Sequence, residues 1–263
     1  MKEKSKKILG NHVETRNLKD LVVAGKFRGK VTFTSETVSD NQNRFENICP
    51  TLALSLKNND TMAVDNAKCI MCGNCAEAFP KLIKIENKCP SPTRTKNQLI
   101  QYSVTQEFLP EKSYEQIGKE LQEKIKKLFG RSLAIREVDA GSCNGCEIEI
   151  TALNNPIYDI ERFGIHFVSS PRHADVLLVT GPASRNMETA LLRTYQATPN
   201  PKIVIAVGAC ACSGGIFGDT YATTGGIDKV VPVDVYIPGC PPRPEVLIQG
   251  LLLAVDRMIK NGS

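Results

Sequence analysis

The sequence predicts an α/β fold for its second half, built on a parallel sheet, preceded by a smaller α+β domain. Two observations carry this. Val- and Ile-rich runs at residues 133–138, 176–179, 203–207 and 233–237 alternate with helix-length segments, the pattern of βαβ units. The first half has only short strand-like runs, at 27–34, 62–64 and 82–85, set among cysteine-bearing stretches.

In chain order, residues 1–20 are polar and expected to be loosely held. The apolar–polar alternation at 27–34 is that of a half-buried strand. Residues 43–56 read as a short helix around Cys49-Pro50, and 62–64 and 82–85 as brief strands. Pro90, Ser91, Pro92 and Thr93 have linker composition. Residues 113–129 read as an amphipathic helix. Ser113 is its N-cap, with Gln116 in the capping-box position. Ile117, Leu121, Ile125 and Leu128 form one apolar stripe, and Gly130 ends it. That stripe is expected to pack on its own chain or on a partner subunit. From Arg131 the strands alternate with helices starting at Cys146 and covering 187–195 and 245–260. The expected organisation is a domain over 1–92, a linker and helix over 93–130, and a domain over 131–263.

The 263 residues suffice for two domains, and 41% hydrophobic content without Trp predicts aliphatic cores. Residues 1–7 are basic with no apolar run behind them, so no signal peptide is expected. The longest apolar stretch, 246–255, is too short to span a bilayer. The expectation is a cytoplasmic protein, soluble or peripheral, in which ten cysteines point to metal ligation over disulfides. The net charge of +5 is uneven: residues 1–130 carry 22 Lys+Arg against 15 Asp+Glu, and residues 131–263 carry 11 against 13. The basic half is either a solvated Lys-rich surface or a face for an acidic partner or anionic lipid. No nucleic-acid partner is expected, since no basic–aromatic interleaving or recognition motif accompanies the charge. The absence of a GxGxxG after a strand and of a P-loop argues against nucleotide binding.

Three strand ends carry cysteines in Gly-rich loops. Cys143 and Cys146 lie in Gly141-Ser142-Cys143-Asn144-Gly145-Cys146-Glu147-Ile148-Glu149, Cys210 in Val207-Gly208-Ala209-Cys210, and Cys240 in Ile237-Pro238-Gly239-Cys240-Pro241-Pro242. Sites in open α/β sheets form outside the carboxyl ends of the strands, so parallel strands bring all four cysteines to one edge. Four thiolates in glycine-rich loops suit a [4Fe-4S] cluster, with backbone N–H groups turned to the sulfides. A free cysteine is often just a small buried hydrophobe, which accounts poorly for four at strand ends. Zinc fits less well, because its structural sites show two close ligand pairs whereas Cys210 and Cys240 stand alone.

Residues 131–260 resemble the small subunit of membrane-bound, energy-converting (group 4) [NiFe] hydrogenases, homologous to the cluster-bearing B-type subunit of respiratory complex I. Besides the Cys143 loop, the resemblance lies in Glu161-Arg162-Phe163-Gly164-Ile165, Ser169-Ser170-Pro171-Arg172-His173-Ala174-Asp175-Val176, Gly208-Ala209-Cys210, Ser213-Gly214-Gly215-Ile216-Phe217 and residues 231–244. Complex I subunits carry two adjacent cysteines where this chain has Cys143-Asn144-Gly145-Cys146, which favours the hydrogenase branch. The resemblance implies a flavodoxin-like sheet with helices on both faces. It also implies a cluster on Cys143, Cys146, Cys210 and Cys240 nearest the active site of a large subunit.

Upstream, Cys69-Ile70-Met71-Cys72-Gly73-Asn74-Cys75 resembles one half of a bacterial ferredoxin, whose C-x₂-C-x₂-C-x₃-C-P run is duplicated, each fourth Cys serving the other repeat's cluster. Phe79-Pro80 stands where this repeat's exported Cys belongs, and Cys49-Pro50 is the exported end of the other repeat. The three cysteines expected before Cys49 fall at Ser39, Gln42 and Phe45. The losses match, leaving one [4Fe-4S] cluster on Cys49, Cys69, Cys72 and Cys75 in a ferredoxin-like domain. Cys89-Pro90 is the rival fourth ligand, or else a packing cysteine.

Two [4Fe-4S] clusters and no visible substrate pocket imply an electron conduit, catalytic only with a partner. The chain lacks the pair of CxxC motifs that hold nickel in hydrogenase large subunits, so a Ni-Fe centre would belong to that partner. The resemblance implies further iron-sulfur or ferredoxin-like subunits and integral membrane subunits, with this chain peripheral on the inner face of the cell membrane. The alternatives are the equivalent subunit of a complex I-like or hydrogenase-related oxidoreductase without hydrogenase activity, and a stand-alone iron-sulfur redox adaptor. Glu147 and Glu149 are either first-turn acids opposing the helix macrodipole or groups that carry protons with cluster reduction. His173 reads as a structural loop residue and Cys212 as a non-ligand thiol.

Overall fold

The computed structural model describes residues 27–34, 42–57, 61–103 and 112–261. Residues 1–20 and Ser39, on which two of the expectations fall, lie outside them. The N-terminal unit runs β1 (Val31–Phe33), α1 (Gln42–Asn47), β2 (Leu54–Lys57), β3 (Thr61–Asp65), α2 (Asn74–Ala78), β4 (Ile83–Ile85) and β5 (Ile100–Tyr102). β1 pairs antiparallel with β4, and β3 lies between β2 and β5, again antiparallel. Val31, Phe45, Leu54, Leu56, Met62, Val64 and Ile83 turn inward from these elements into one small core.

Two sequence expectations are corrected here. The helix expected over 43–56 stops at Asn47, and its second half is strand β2. Leu54 and Leu56 are buried while Ser55 and Lys57 are not, a period of two that a short window hides. Residues 100–102, expected in a linker, form β5 on the edge of the N-terminal sheet.

The second unit opens with α3 (Tyr114–Phe129), whose expected capping box is present: Gln116 N donates to Ser113 Oγ and Ser113 N to Gln116 Oε1. Gly130 closes it at φ 63°. Its buried stripe of Tyr114, Ile117, Leu121 and Ile125 packs on its own chain. There follow β6 (Leu133–Asp139), α4 (Gly145–Ala152), β7 (Ile165–Phe167), β8 (Val176–Thr180), α5 (Arg185–Ala197), β9 (Ile203–Val207), α6 (Gly208–Ser213), β10 (Val235–Ile237) and α7 (Pro244–Asn261).

The five strands are all parallel, in the order β10-β9-β8-β6-β7. Counted from β6 this is the flavodoxin-like order, with a switch point between β6 and β8. Val176 and Leu178 face a core shared with α3, α4 and α7, while Leu177 and Val179 face a second core shared with Leu191 of α5 and Ala211 of α6. Helices thus cover both faces, and the fully buried strands β8 and β9 are apolar except for Thr180 at the end of β8, as a covered parallel sheet requires. β7 and α6 were not foreseen; at three and six residues they are too short to show a period.

Candidate functional site

The strand order brings the carboxyl ends of β6, β9 and β10 to one edge, and their loops meet there. Asp139, the last residue of β6, accepts the N–H groups of Gly141 (2.8 Å) and Ser142 (2.7 Å) through Oδ1, and Ser142 Oγ accepts that of Asn144 (3.0 Å). These bonds shape the turn that presents Cys143 and starts α4 with Cys146 in its first turn. Ala209 N donates to Gly239 O at 2.8 Å, tying the Cys210 loop to the Cys240 loop. Gly208, at φ +83°, lies so close to Cys146 that a Cβ there would stand 2.6 Å from its Sγ; on Gly215, φ +53°, a Cβ would stand 3.0 Å from Cys210 Sγ. Backbone without side chains therefore walls the thiols, which suits a bulky group held on sulfur.

Burial pushes the Cys210 thiol up to about 11 and raises Cys146 further, the charges of neighbouring thiols and of Glu147 adding to the effect. Cys240 is raised by burial, then by Cys143 and Cys72. Cys143 and Cys240 are nevertheless exposed at this edge.

In the N-terminal unit, Cys49, Cys69, Cys72 and Cys75 line a single pocket walled by Val31, Ala53, Leu54 and Val64. Burial lifts Cys69 to about 12 and Cys75 to about 11, and each feels Cys49 and Cys72. Ala53 N donates to Cys49 Sγ at 3.2 Å, an N–H aimed at sulfur as cluster thiolates require. Both donor sets, four thiols each, fit a [4Fe-4S] group. Among the described residues no set of three or more His, Cys, Asp or Glu is arranged to hold a single metal ion. A cube does not need that arrangement, since its four thiolates bind four different irons.

Phe45 and Phe79, which the ferredoxin-like reading aligns with two ligand positions of a second cluster, pack ring to ring with centroids 5.6 Å apart, Phe45 wholly buried. Cys89 is away from the pocket: it packs against the core of the second unit, beside Arg243. Cys212 is fully buried, its Sγ directed to Ala206 O (3.8 Å) and Ile237 O (3.6 Å).

Glu147 accepts from the Thr180 hydroxyl through Oε1, while its Oε2 is buried without a hydrogen-bond partner. The Glu149 carboxyl is raised by burial, with Arg243 opposing. His173 is exposed in a 3₁₀ turn before β8, at the sheet edge opposite the cysteines. Sequence reasoning missed Asp139 and Thr180. An Asp directly before a Gly-rich turn was a readable signal for the first; nothing local marks the second, whose partner Glu147 is distant in the chain.

Among the described residues no helix is long and apolar enough to cross a membrane. Residues 143–254 match the family model for the NADH ubiquinone oxidoreductase 20 Kd subunit. The chain is 50% identical over 134 residues to the "Probable membrane-bound hydrogenase subunit mbhJ" of Pyrococcus furiosus, covering 51% of this chain and 80% of that protein. It is 56% identical over 129 residues to formate hydrogenlyase subunit 7 of Escherichia coli, covering 49% of this chain and 51% of that protein. It is 49% identical over 116 residues to an NADH-quinone oxidoreductase subunit of Geobacter metallireducens, covering 44% of this chain and 68% of that protein. These relatives are subunits of oxidoreductases, and each matches about half of this chain. The fold, the Cys143 loop and this degree of identity together make the chain a member of the NADH ubiquinone oxidoreductase 20 Kd subunit family.

Proposed function

We propose that this chain is the electron-transfer small subunit of a membrane-bound [NiFe] hydrogenase-like complex, carrying two [4Fe-4S] clusters and catalytic only with a large subunit. The observation that carries the reading is the gathering of eight cysteines into two sets of four, one at the carboxyl edge of the parallel sheet and one in the N-terminal pocket. Cys143, Cys146, Cys210 and Cys240 would hold the cluster facing the large subunit; Cys49, Cys69, Cys72 and Cys75 would hold the other. When bound, the clusters supply reversible one-electron storage.

The chain's own residues do the rest. Asp139 and Ser142 fix the Cys143 turn, and the N-terminus of α4, where Cys146 lies, would favour an anionic thiolate–cluster unit through its positive dipole end. The raised thiols must release protons on ligation, so loading is coupled to deprotonation. Exposed Ile148, Ile216 and Phe217 follow cysteines or cysteine-walling glycines in sequence and supply apolar surface for a partner covering this edge. The hydrogenase branch is favoured by the Cys143-Asn144-Gly145-Cys146 spacing and by the two hydrogenase-type relatives, and the basic N-terminal half fits an acidic electron carrier. Peripheral attachment on the cytoplasmic face follows from the same reading.

The test is iron analysis and electron paramagnetic resonance on the purified full chain, with identification of co-purifying subunits. Eight irons per chain and a nickel-containing large subunit are expected. Four irons or fewer, or a large subunit without nickel-binding cysteine pairs, would overturn the corresponding part.

A further inference from the structure

The amino-terminal edge of the parallel sheet, opposite the cysteine loops, carries two grooves that meet at the Arg131–Asp175 pair. The first, about 400 Å³, has an apolar floor of Leu128, Phe129, Pro199, Pro201, Ile203 and Met258. The second, about 560 Å³, is lined by Ser132, His166, Arg172 and His173. Arg131, Ala174, Asp175 and Pro199 line both. Both volumes lie in the range of small-molecule sites.

Charge sets this edge apart. The two grooves together hold four cations, Arg131, Arg172, Lys202 and Arg257, against two acids, Asp175 and Asp234, an excess of two. The unit as a whole runs the other way, with 11 Lys+Arg against 13 Asp+Glu over residues 131–263. Both acids are already engaged. Asp175 is 8% exposed and accepts two N–H groups of Arg131, at 2.7 and 2.8 Å, and that of Ala134 at 3.0 Å. Asp234 accepts from Arg257 at 2.8 Å and from Val204 N at 2.9 Å. Arg131 gives a third N–H to Ser132 O, which leaves two of a guanidinium's five, and 56% of its side chain is exposed. Lys202 donates to two carbonyls, Tyr195 O and Thr198 O, at 2.6 and 2.8 Å. Arg172 and His173 are exposed beside them. Helix α3 ends at this edge, and its carbonyl end opposes an anion; Lys126 and Lys127 in its last turn offset that.

We propose that the paired grooves bind one anionic phospholipid, its phosphate at Arg131, Arg172 and His173 and an acyl chain along the apolar floor. A cationic groove joined to an apolar one complements a molecule with an anionic head and an apolar tail. Free phosphate fills only the first and a neutral lipid only the second. The inference rests on the peripheral membrane attachment proposed above, and names the surface and the ligand that provide it. The amino-terminal edge then meets the lipid headgroups, and the cysteine edge, at the other end of the strands, is left to the partner subunit.

The measurement is calorimetric titration of the purified full chain with monoacyl phosphatidylglycerol of increasing chain length, below its micelle concentration. Binding should tighten by up to about fourfold per added methylene until the apolar groove is full. Arg172→Ala should weaken it about fivefold, the share of one surface cation, with the melting temperature unchanged. Pro199→Glu, which sets a carboxylate where the grooves meet, should weaken it further. Inorganic phosphate binding as tightly as the amphiphile would overturn the proposal, and so would equal affinity for monoacyl phosphatidylcholine. Parental affinity in both variants would place the lipid on another basic surface and reject the groove. Flotation of the intact complex with phosphatidylglycerol-containing vesicles tests attachment separately. Flotation that persists in both variants keeps the membrane reading and rejects the groove, whereas flotation lost in both supports the groove. A parent complex that does not float rejects attachment, and the groove is then judged by the titration alone.

Discussion

Single residues separate ligand from neighbour here by the company each thiol keeps. Cys49 lines a pocket with three other cysteines, whereas Cys89 faces Arg243 and Cys212 faces two carbonyls. Cys49→Ser should therefore leave only a labile or three-iron species in the N-terminal site, with Cys89→Ser unchanged; the reverse result would move the fourth ligand to the linker side. Cys240→Ala should abolish one of two cluster signals and Cys212→Ala neither, and a normal spectrum from Cys240→Ala would sink the assignment at the sheet edge. Phe45 is a wholly buried ring packed on Phe79, so Phe45→Ala should cost about 3–5 kcal/mol of stability as a large-to-small core change, read by denaturant titration. A loss below about 1 kcal/mol would mean that the ring does not fill that space.

Elements hold the site through their ends and their tight contacts. α3 matters because it walls the sheet face behind the cysteine edge, and its first turn is closed by the Ser113–Gln116 box. Ser113→Ala should cost about 1 kcal/mol, the usual value of a lost N-cap. A harsher change lies one turn further on. A Cβ on Gly118 would stand 2.2 Å from the Phe163 ring, which is itself packed against Tyr114, with Tyr158 behind. The ring has nowhere to go, so Gly118→Ala should destabilise by about 1–3 kcal/mol despite alanine's better helix propensity. A raised melting temperature for Gly118→Ala would show that the ring can yield.

The whole molecule is an electrically divided one, with its excess of cations in the first 130 residues. Electrostatic docking of an acidic carrier to that half should slow as salt rises, because the screening length falls from about 10 Å at 0.1 M to about 3 Å at 1 M. Stopped-flow electron exchange with an acidic ferredoxin-type protein is the measurement, and a rate flat across that range would reject docking by charge. The same division fits a chain whose basic unit meets a mobile carrier while its other unit, with exposed Cys143 and Cys240 and apolar surface beside the cysteine loops, meets a fixed partner.

Whatever is local or periodic in this protein was legible in the chain alone. Long Val- and Ile-rich runs gave the strands, the Ser113 box gave α3 to the residue, and Gly-rich turns after strands gave the Cys143, Cys210 and Cys240 loops. The Cys-Pro and C-x₂-C-x₂-C spacings gave the expectation that Cys49 joins the Cys69–Cys75 run, and one pocket is lined by all four cysteines. Folding in three dimensions settled what depends on residues far apart in the chain. β5 joins the first unit because residues 100–102 find the free edge of β3, which no local composition announces. The ring pair of Phe45 and Phe79, the hydroxyl of Ser213 on Ala67 and the bridge from Thr93 to Tyr236 each join positions from tens to more than a hundred residues apart. Such contacts leave no period and no motif, since one hydroxyl or one ring suffices. Yet they join the unit that holds Cys69 to the unit that holds Cys210 and Cys240.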